Sequence, residues 1–89
     1  MGFLQFVDTG AMVSPTMLAR RGFANIVLGR LDDGLEDARK AEGISPEWPT
    51  AHYLQGMALI GLGMEPDGHE KLKMADALEA QRMGRTRTV

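Results

Sequence analysis

The side chains able to do chemistry are few and scattered. His52 and His69 fall in different predicted helices, with no spaced carboxylate beside either, and the chain has no cysteine. A zinc site requires about four ligands at short characteristic spacings. No metal or cofactor is therefore expected, and both histidines read as solvated or half-buried. Ser14 and Ser45 each precede a proline. Neither sits in a nucleophile elbow or near a base in sequence, so both read as punctuation before a helix. Asp32, Asp33, Glu36 and Asp37 could form a carboxylate cluster, but a helix start with a solvated face uses the same pattern. Arg82, Arg85 and Arg87 are three charges without interleaved aromatics, a weak basis for RNA or lipid contact. No catalytic residue emerges, and the chain is not expected to be an enzyme.

Composition sets the frame for what remains. Eighty-nine residues allow one small domain. Folding at this size buries only about 60% of the unfolded surface, and no disulfide can compensate. The formal charge of −2 argues against a dedicated nucleic-acid surface. No apolar run approaches the roughly 20 residues of a membrane span. The N-terminus lacks a basic region of the secretory kind. Met1-Gly2 invites a myristoylation reading, but Phe6 stands where that motif wants Ser or Thr. The expected compartment is cytoplasmic.

The elements that position these residues are visible as a repeat. LGRLDDG, Leu28 to Gly34, returns as LGMEPDG, Leu62 to Gly68, at an offset of 34 residues. At the same offset Pro15 matches Pro49, Thr16 matches Thr50, Gly22 matches Gly56, Ala24 matches Ala58, and Ile26 matches Ile60. Glu36 matches Glu70, and Ala41 matches Ala75. This is the tetratricopeptide period. The fold class is all-α: antiparallel helical hairpins stacked as a short α-solenoid. The first helix of each unit is expected over Pro15 to about Leu28 and Pro49 to about Leu62. Ser14 caps the first, with Pro15 at its first position. Gly22 and Gly56 lie inside these helices, where a glycine costs about 1 kcal/mol against Ala. Its recurrence predicts close helix–helix approach. Gly29 and Gly63 suit the left-handed residue after a helix end. The second helices are expected from near Asp33 to about Ile44 and from near Pro66 to about Arg82. Trp48 is expected to pack between successive hairpins. The chain thus divides into residues 1–14, a remnant second helix carrying Phe3, Leu4, Phe6 and Val7 and capped by Gly10; repeats 15–48 and 49–82; and a disordered tail, 83–89.

Several stretches go beyond a generic repeat: QFVDTGAMVSPT (Gln5 to Thr16), ARR (Ala19 to Arg21), ISPEW (Ile44 to Trp48), YLQGMALIGLGME (Tyr53 to Glu65) and LEA (Leu78 to Ala80). In these the chain resembles the C-terminal tetratricopeptide region of plant brassinosteroid-signalling kinases, a family of receptor-like cytoplasmic kinases. The similarity runs from about Leu4 to Arg82. It implies a protein–protein contact module in plant hormone or immune receptor-kinase signalling. The implied partner is a kinase domain of a receptor-like or brassinosteroid-signalling kinase. Family members carry an N-terminal lipid anchor and a kinase or pseudokinase domain. This chain has no Gly-rich phosphate loop, V-A-I-K lysine, H-R-D or D-F-G. Neither the activity nor the anchor carries over, and membrane association is expected only through a partner.

In such arrays the first helices line a concave groove. The positions expected to face it are Thr16, Ala19, Arg20, Phe23, Ile26 and Val27 in one copy, and Thr50, Tyr53, Leu54, Met57 and Ile60 in the other. Arg20, Phe23, Ile26, Val27, Tyr53, Met57 and Ile60 are the candidate binding residues. Chaperone-binding arrays hold a peptide carboxylate with Lys, Asn and Arg at such positions. Only Arg20 fits that scheme, so the groove is read as apolar, suited to a helix or a domain surface. Internal packing is the competing reading for the same side chains. Two further readings stand beside the interaction module: a fragment of a longer serine/threonine kinase without independent activity, and a generic scaffold. The open solenoid ends make self-association a further expectation.

Overall fold

Pro15 opens the first helix because its missing N–H is one that a helix start leaves unbonded anyway. The computed structural model describes residues 13–87. Within them α1 spans Pro15–Val27, α2 Leu31–Ile44, α3 Pro49–Gly61 and α4 Glu65–Arg87. Ser14 is extended, and its hydroxyl oxygen accepts a hydrogen bond from the Met17 N–H at 3.1 Å. The expected remnant helix lies outside the described residues up to residue 12.

Each hairpin turns through the same device. Gly29 and Gly63 adopt φ of +85° and +87°. The Gly29 N–H donates to the Ile26 carbonyl and the Arg30 N–H to the Asn25 carbonyl, at 3.0 and 2.7 Å. Gly63 and Met64 repeat the pair on Ile60 and Leu59, at 3.0 and 2.9 Å. Both are Schellman turns, which satisfy the last carbonyls of the helix. The chain leaves each turn already aimed into the next helix. This is why α2 begins at Leu31 and α4 at Glu65, ahead of the expected Asp33 and Pro66. Pro66 is tolerated in the first turn of α4, where its N–H would have no intrahelical partner.

The hairpins close on glycine. A Cβ on Gly34 would lie 2.6 Å from Ile26 Cγ1 and 2.9 Å from the Gly22 carbonyl oxygen. A Cβ on Gly68 would meet Ile60 Cγ1 at 2.6 Å and the Gly56 oxygen at 2.9 Å. Gly22 and Gly56 face these from the first helices, so each hairpin pairs glycine against glycine. The expected close approach therefore occurs, and in the second hairpin a Cβ on Gly56 would also meet Leu72 Cδ2 at 2.6 Å.

Successive hairpins join along α2 and α3. Ala38 packs with Ala19 and Leu54, Ala41 with Leu18 and Ala51, and Leu35 with Ala58 and Leu59. Trp48 packs against the first two of these clusters, the joint expected of it. Leu31 approaches Gly61 at the other end of the joint.

Two expectations are corrected here. The disordered tail expected at 83–89 does not begin at Met83: α4 continues through Gly84 to Arg87. Ala80, Gln81, Arg82 and Met83 are strong helix formers, and one glycine lowers helix propensity without stopping a helix. His52 is neither solvated nor half-buried. It is 2% exposed, and its Nε2–H donates to the Pro46 carbonyl at 2.8 Å, tying the inter-hairpin loop to α3.

The glycine seams generate a paired prediction. Gly34→Ala should destabilise the protein by about 1–2 kcal/mol, because overpacking outweighs the propensity gain. Gly43→Ala, in the same helix with nothing within 4 Å of the added Cβ, should stabilise it by up to about 1 kcal/mol. Thermal melts followed by circular dichroism should move in opposite directions, and equal shifts would refute the seam.

Candidate functional site

The face formed by the first helices carries exposed apolar side chains at matched positions. Phe23 on α1 is 51% exposed, and Met57, thirty-four residues on, is 42% exposed on α3. Val27, one turn beyond Phe23, is 66% exposed. Arg20 is also exposed, and Thr16 lies one turn before it. α1 and α3 touch, so the two helices that carry these residues lie side by side.

Tyr53 is half-buried at the edge of this surface. Its hydroxyl donates to Asp76 Oδ1 at 2.7 Å. That hydrogen bond, with partial desolvation and the carboxylates of Asp76 and Glu79, holds the phenol above its ordinary pKa. Tyr53 thus ties α3 to α4.

Ile26 and Ile60 are placed differently. Both are half-buried, with their Cγ1 atoms against Gly34 and Gly68. Ile26 also packs on two of the core clusters. They fill the seams of their own hairpins and do not project from the first-helix face. Ala19 and Leu54 are buried as well. The small glycines opposite are the physical reason: they leave a slot that a branched side chain enters.

Polar residues outside the expected set fix the geometry of this face. Asp37, which the acidic run suggested was solvated, is buried. Its side chain is only 6% exposed, while that of its partner Arg21 is 57% exposed. Arg21 Nε and Nη2 donate to the two carboxylate oxygens at 3.0 and 2.9 Å, and Asn25 Nδ2 adds a bond at 3.2 Å. This bidentate pair locks α1 to α2. In the second hairpin Gln55 and Lys71 occupy the matching positions, and both turn to Glu42 on α2. Gln55 Nε2 donates to Glu42 Oε1 at 2.6 Å and Lys71 Nζ at 3.0 Å. The Gln55 hydrogen bond, opposed by partial burial and aided by Lys71 and the more distant His52, lowers the Glu42 pKa below its ordinary value. A cleft of about 500 Å³ between α2 and α4 is lined by these same groups, with Leu59 and Met74 beside them. Within it Glu42 and Lys71 pair across the hairpins. The signal for both ties was in the sequence: matched repeat positions that changed from Arg and Asp to Gln and Lys.

Two measurements test these ties. Arg21→Met should cost about 1–3 kcal/mol of stability, since it leaves the Asp37 carboxylate buried with one weak donor. Glu42 has a depressed pKa in the folded state, so its stabilisation is present above the unfolded value and is lost as pH falls through the folded one. Glu42→Gln should therefore flatten the acid side of a plot of melting temperature against pH, from about pH 5 downward. An unchanged acid slope would show that Glu42 contributes nothing there.

Residues 2–56 match the family model described as serine/threonine-protein kinase BSK1-like, TPR repeats. The chain is 45% identical over 80 residues to serine/threonine-protein kinase BSK6 of Arabidopsis thaliana, covering 90% of this chain and 16% of that protein. It is 44% identical over 80 residues to serine/threonine-protein kinase BSK1-2 of Oryza sativa subsp. japonica, covering 90% and 15%. Against serine/threonine-protein kinase BSK1 of Arabidopsis thaliana the identity is 41% over 80 residues, covering 90% and 16%. The chain thus spans about one-sixth of the length of these relatives. No solved structure matches. Among the described residues, no helix is long and apolar enough to cross a membrane. The glycine-seamed hairpins at a 34-residue period and the matches across most of the chain agree: it belongs to the tetratricopeptide-repeat family of the plant BSK1-like kinases.

Proposed function

We propose that this chain is a non-catalytic protein-interaction module whose first-helix face binds a kinase domain of a receptor-like or brassinosteroid-signalling kinase. The observation that carries this reading is the pair Phe23 and Met57. They stand exposed at matched positions on adjacent helices, while the residues beneath them are locked by glycine seams and polar ties. Large apolar side chains held on a rigid scaffold are what a binding hot spot requires. Val27 widens the apolar surface, and Arg20 supplies a cation at its margin. The likeness to BSK kinases of Arabidopsis thaliana and Oryza sativa supports a role in plant hormone or immune signalling. The chain then works in the cytoplasm and reaches the plasma membrane through its partner.

The test is direct binding of the intact chain to a purified kinase domain from one of the BSK relatives, measured by calorimetry. Phe23→Ser and Met57→Ser should each weaken binding by at least about tenfold, equivalent to about 1.4 kcal/mol. Both side chains are largely exposed, so the melting temperature should stay within a few degrees of the parent. Unchanged affinity in folded variants would remove the first-helix face from the interaction. No binding by the parent chain would remove the kinase domain as its partner.

A further inference from the structure

Ser14 and Ser45 each precede a proline, yet their side chains differ in use. The Ser14 hydroxyl caps α1, accepting from the Met17 N–H at 3.1 Å, and the chain after it is helical at once. Ser45 closes α2 through its backbone, its N–H donating to the Ala41 carbonyl at 2.8 Å. It does not cap α3, which starts from Trp48 with no side-chain cap. The half-buried Ser45 hydroxyl enters no hydrogen bond among the described residues. Punctuation thus explains Ser14 and leaves the Ser45 side chain without a structural task. The backbone at Ser45 has φ of −132° and ψ of 78°, and Pro46, Glu47 and Trp48 lie outside any helix. Ser45 lines an open cleft of about 400 Å³ with Pro46, Glu47, Trp48, Pro49 and Arg82. The turn before it is weakly held. Gly43 is exposed, and a Cβ there would meet nothing within 4 Å, so packing does not demand a glycine. The glycine nonetheless lowers helix propensity, and Ile44 is 51% exposed. This end of α2 can unwind without uncovering the core.

We propose that Ser45 is a phosphorylation site for a proline-directed serine/threonine kinase. Such a kinase takes its substrate in extended form and reads the residue after the serine. Pro46 has no N–H. A kinase site that offers that N–H no partner accepts proline and penalises other residues. Unwinding Gly43 and Ile44 supplies the extended residues ahead of Ser45, and the loop supplies those after it. In the transfer, Ser45 Oγ bonds to the γ-phosphorus of ATP held on the kinase. The bond from that phosphorus to the β,γ-bridging oxygen breaks, ADP leaves, and the hydroxyl proton passes to the kinase's catalytic carboxylate. The ester adds a charge of about −1.5 to −2 at neutral pH. The C-terminal end of α2 and Glu47 both oppose that charge, and Arg82 is the one cation lining the cleft against it. The ester therefore loosens the loop that joins the two hairpins. This site does not depend on the binding proposed for Phe23 and Met57.

The test incubates the intact chain with a purified mitogen-activated protein kinase, ATP and Mg²⁺, and maps phosphate by mass spectrometry. Ser45 should be modified at least about tenfold faster than Ser14, the internal control. Pro46→Ala keeps the carbonyl that His52 holds and should slow modification of Ser45 at least about tenfold. Gly43→Ala, which strengthens the last turn of α2, should slow it about fivefold. Arg21→Met lowers global stability away from this loop and should leave the rate unchanged. No phosphate on Ser45, faster modification of Ser14, or indifference to Pro46→Ala would each overturn the site. A rate that rises with Arg21→Met would overturn it as well, since the unfolded chain would then be the substrate. In the phosphorylated chain, hydrogen exchange of the Ser45 and Trp48 amides, which bond to Ala41 and Ser45, should speed up at least about tenfold. Unchanged exchange would refute the loosening.

Discussion

Glycine facing glycine is the constraint on which the rest depends. At Gly22 and Gly34, and again at Gly56 and Gly68, two helices approach until a single added carbon would strike a carbonyl oxygen or an isoleucine. Each such glycine lowers helix propensity by about 1 kcal/mol. What it allows is an interhelical distance short enough for alanine to complete the core. The fully buried apolar residues are mostly small: Ala38, Ala41, Ala51, Ala58 and Ala75. Larger residues at the seams would separate the helices and leave those alanines facing voids. The slot opposite the glycine also decides the fate of Ile26 and Ile60, which enter it and are half-buried.

A core of alanine and glycine gives limited hydrophobic stabilisation, since burial energy scales with apolar area. Polar ties supplement it, and the two hairpins use them differently. Arg21 and Asp37 close the first hairpin on itself. Gln55 and Lys71, at the same positions in the second, reach across to Glu42. One repeat position thus serves as an internal lock in one copy and as a link between copies in the other. Tyr53 and Asp76 restore an internal tie to the second hairpin. The divergence of repeats therefore preserves stiffness while changing which surfaces are joined, a pattern suited to an array whose stability is shared among neighbours.

The repeat architecture was legible in the sequence because it rests on local signals. Ser14-Pro15, Gly29 and Gly63 act within a few residues, and their structural roles are those their types require. Trp48 was legible for the same reason, since it follows a helix-ending proline. Three things were not. Asp37 looked like part of a solvated run because its acceptor role depends on Arg21, sixteen residues away and on another helix. His52 looked solvated or half-buried because its partner is a backbone carbonyl, which carries no sequence signature. The separation of Ile26 and Ile60 from Phe23 and Met57 depends on interhelical distance, which periodicity alone does not report. Helical spacing assigns a residue to a stripe about 100° wide, and a seam and a groove can both fall within it.

That separation has a consequence for recognition. With the isoleucines withdrawn, the first-helix face is narrower than the sequence suggests. Phe23, Val27 and Met57 are the exposed apolar side chains among the expected positions, and Arg20 on α1 is exposed too. An extended peptide held by its carboxylate would need a cluster of cations that Arg20 alone does not supply. The close helix approach at the glycine seams restrains the backbone that carries Phe23 and Met57. The stiffness that small residues enforce inside each hairpin thus lowers the entropy lost when the exposed side chains are covered.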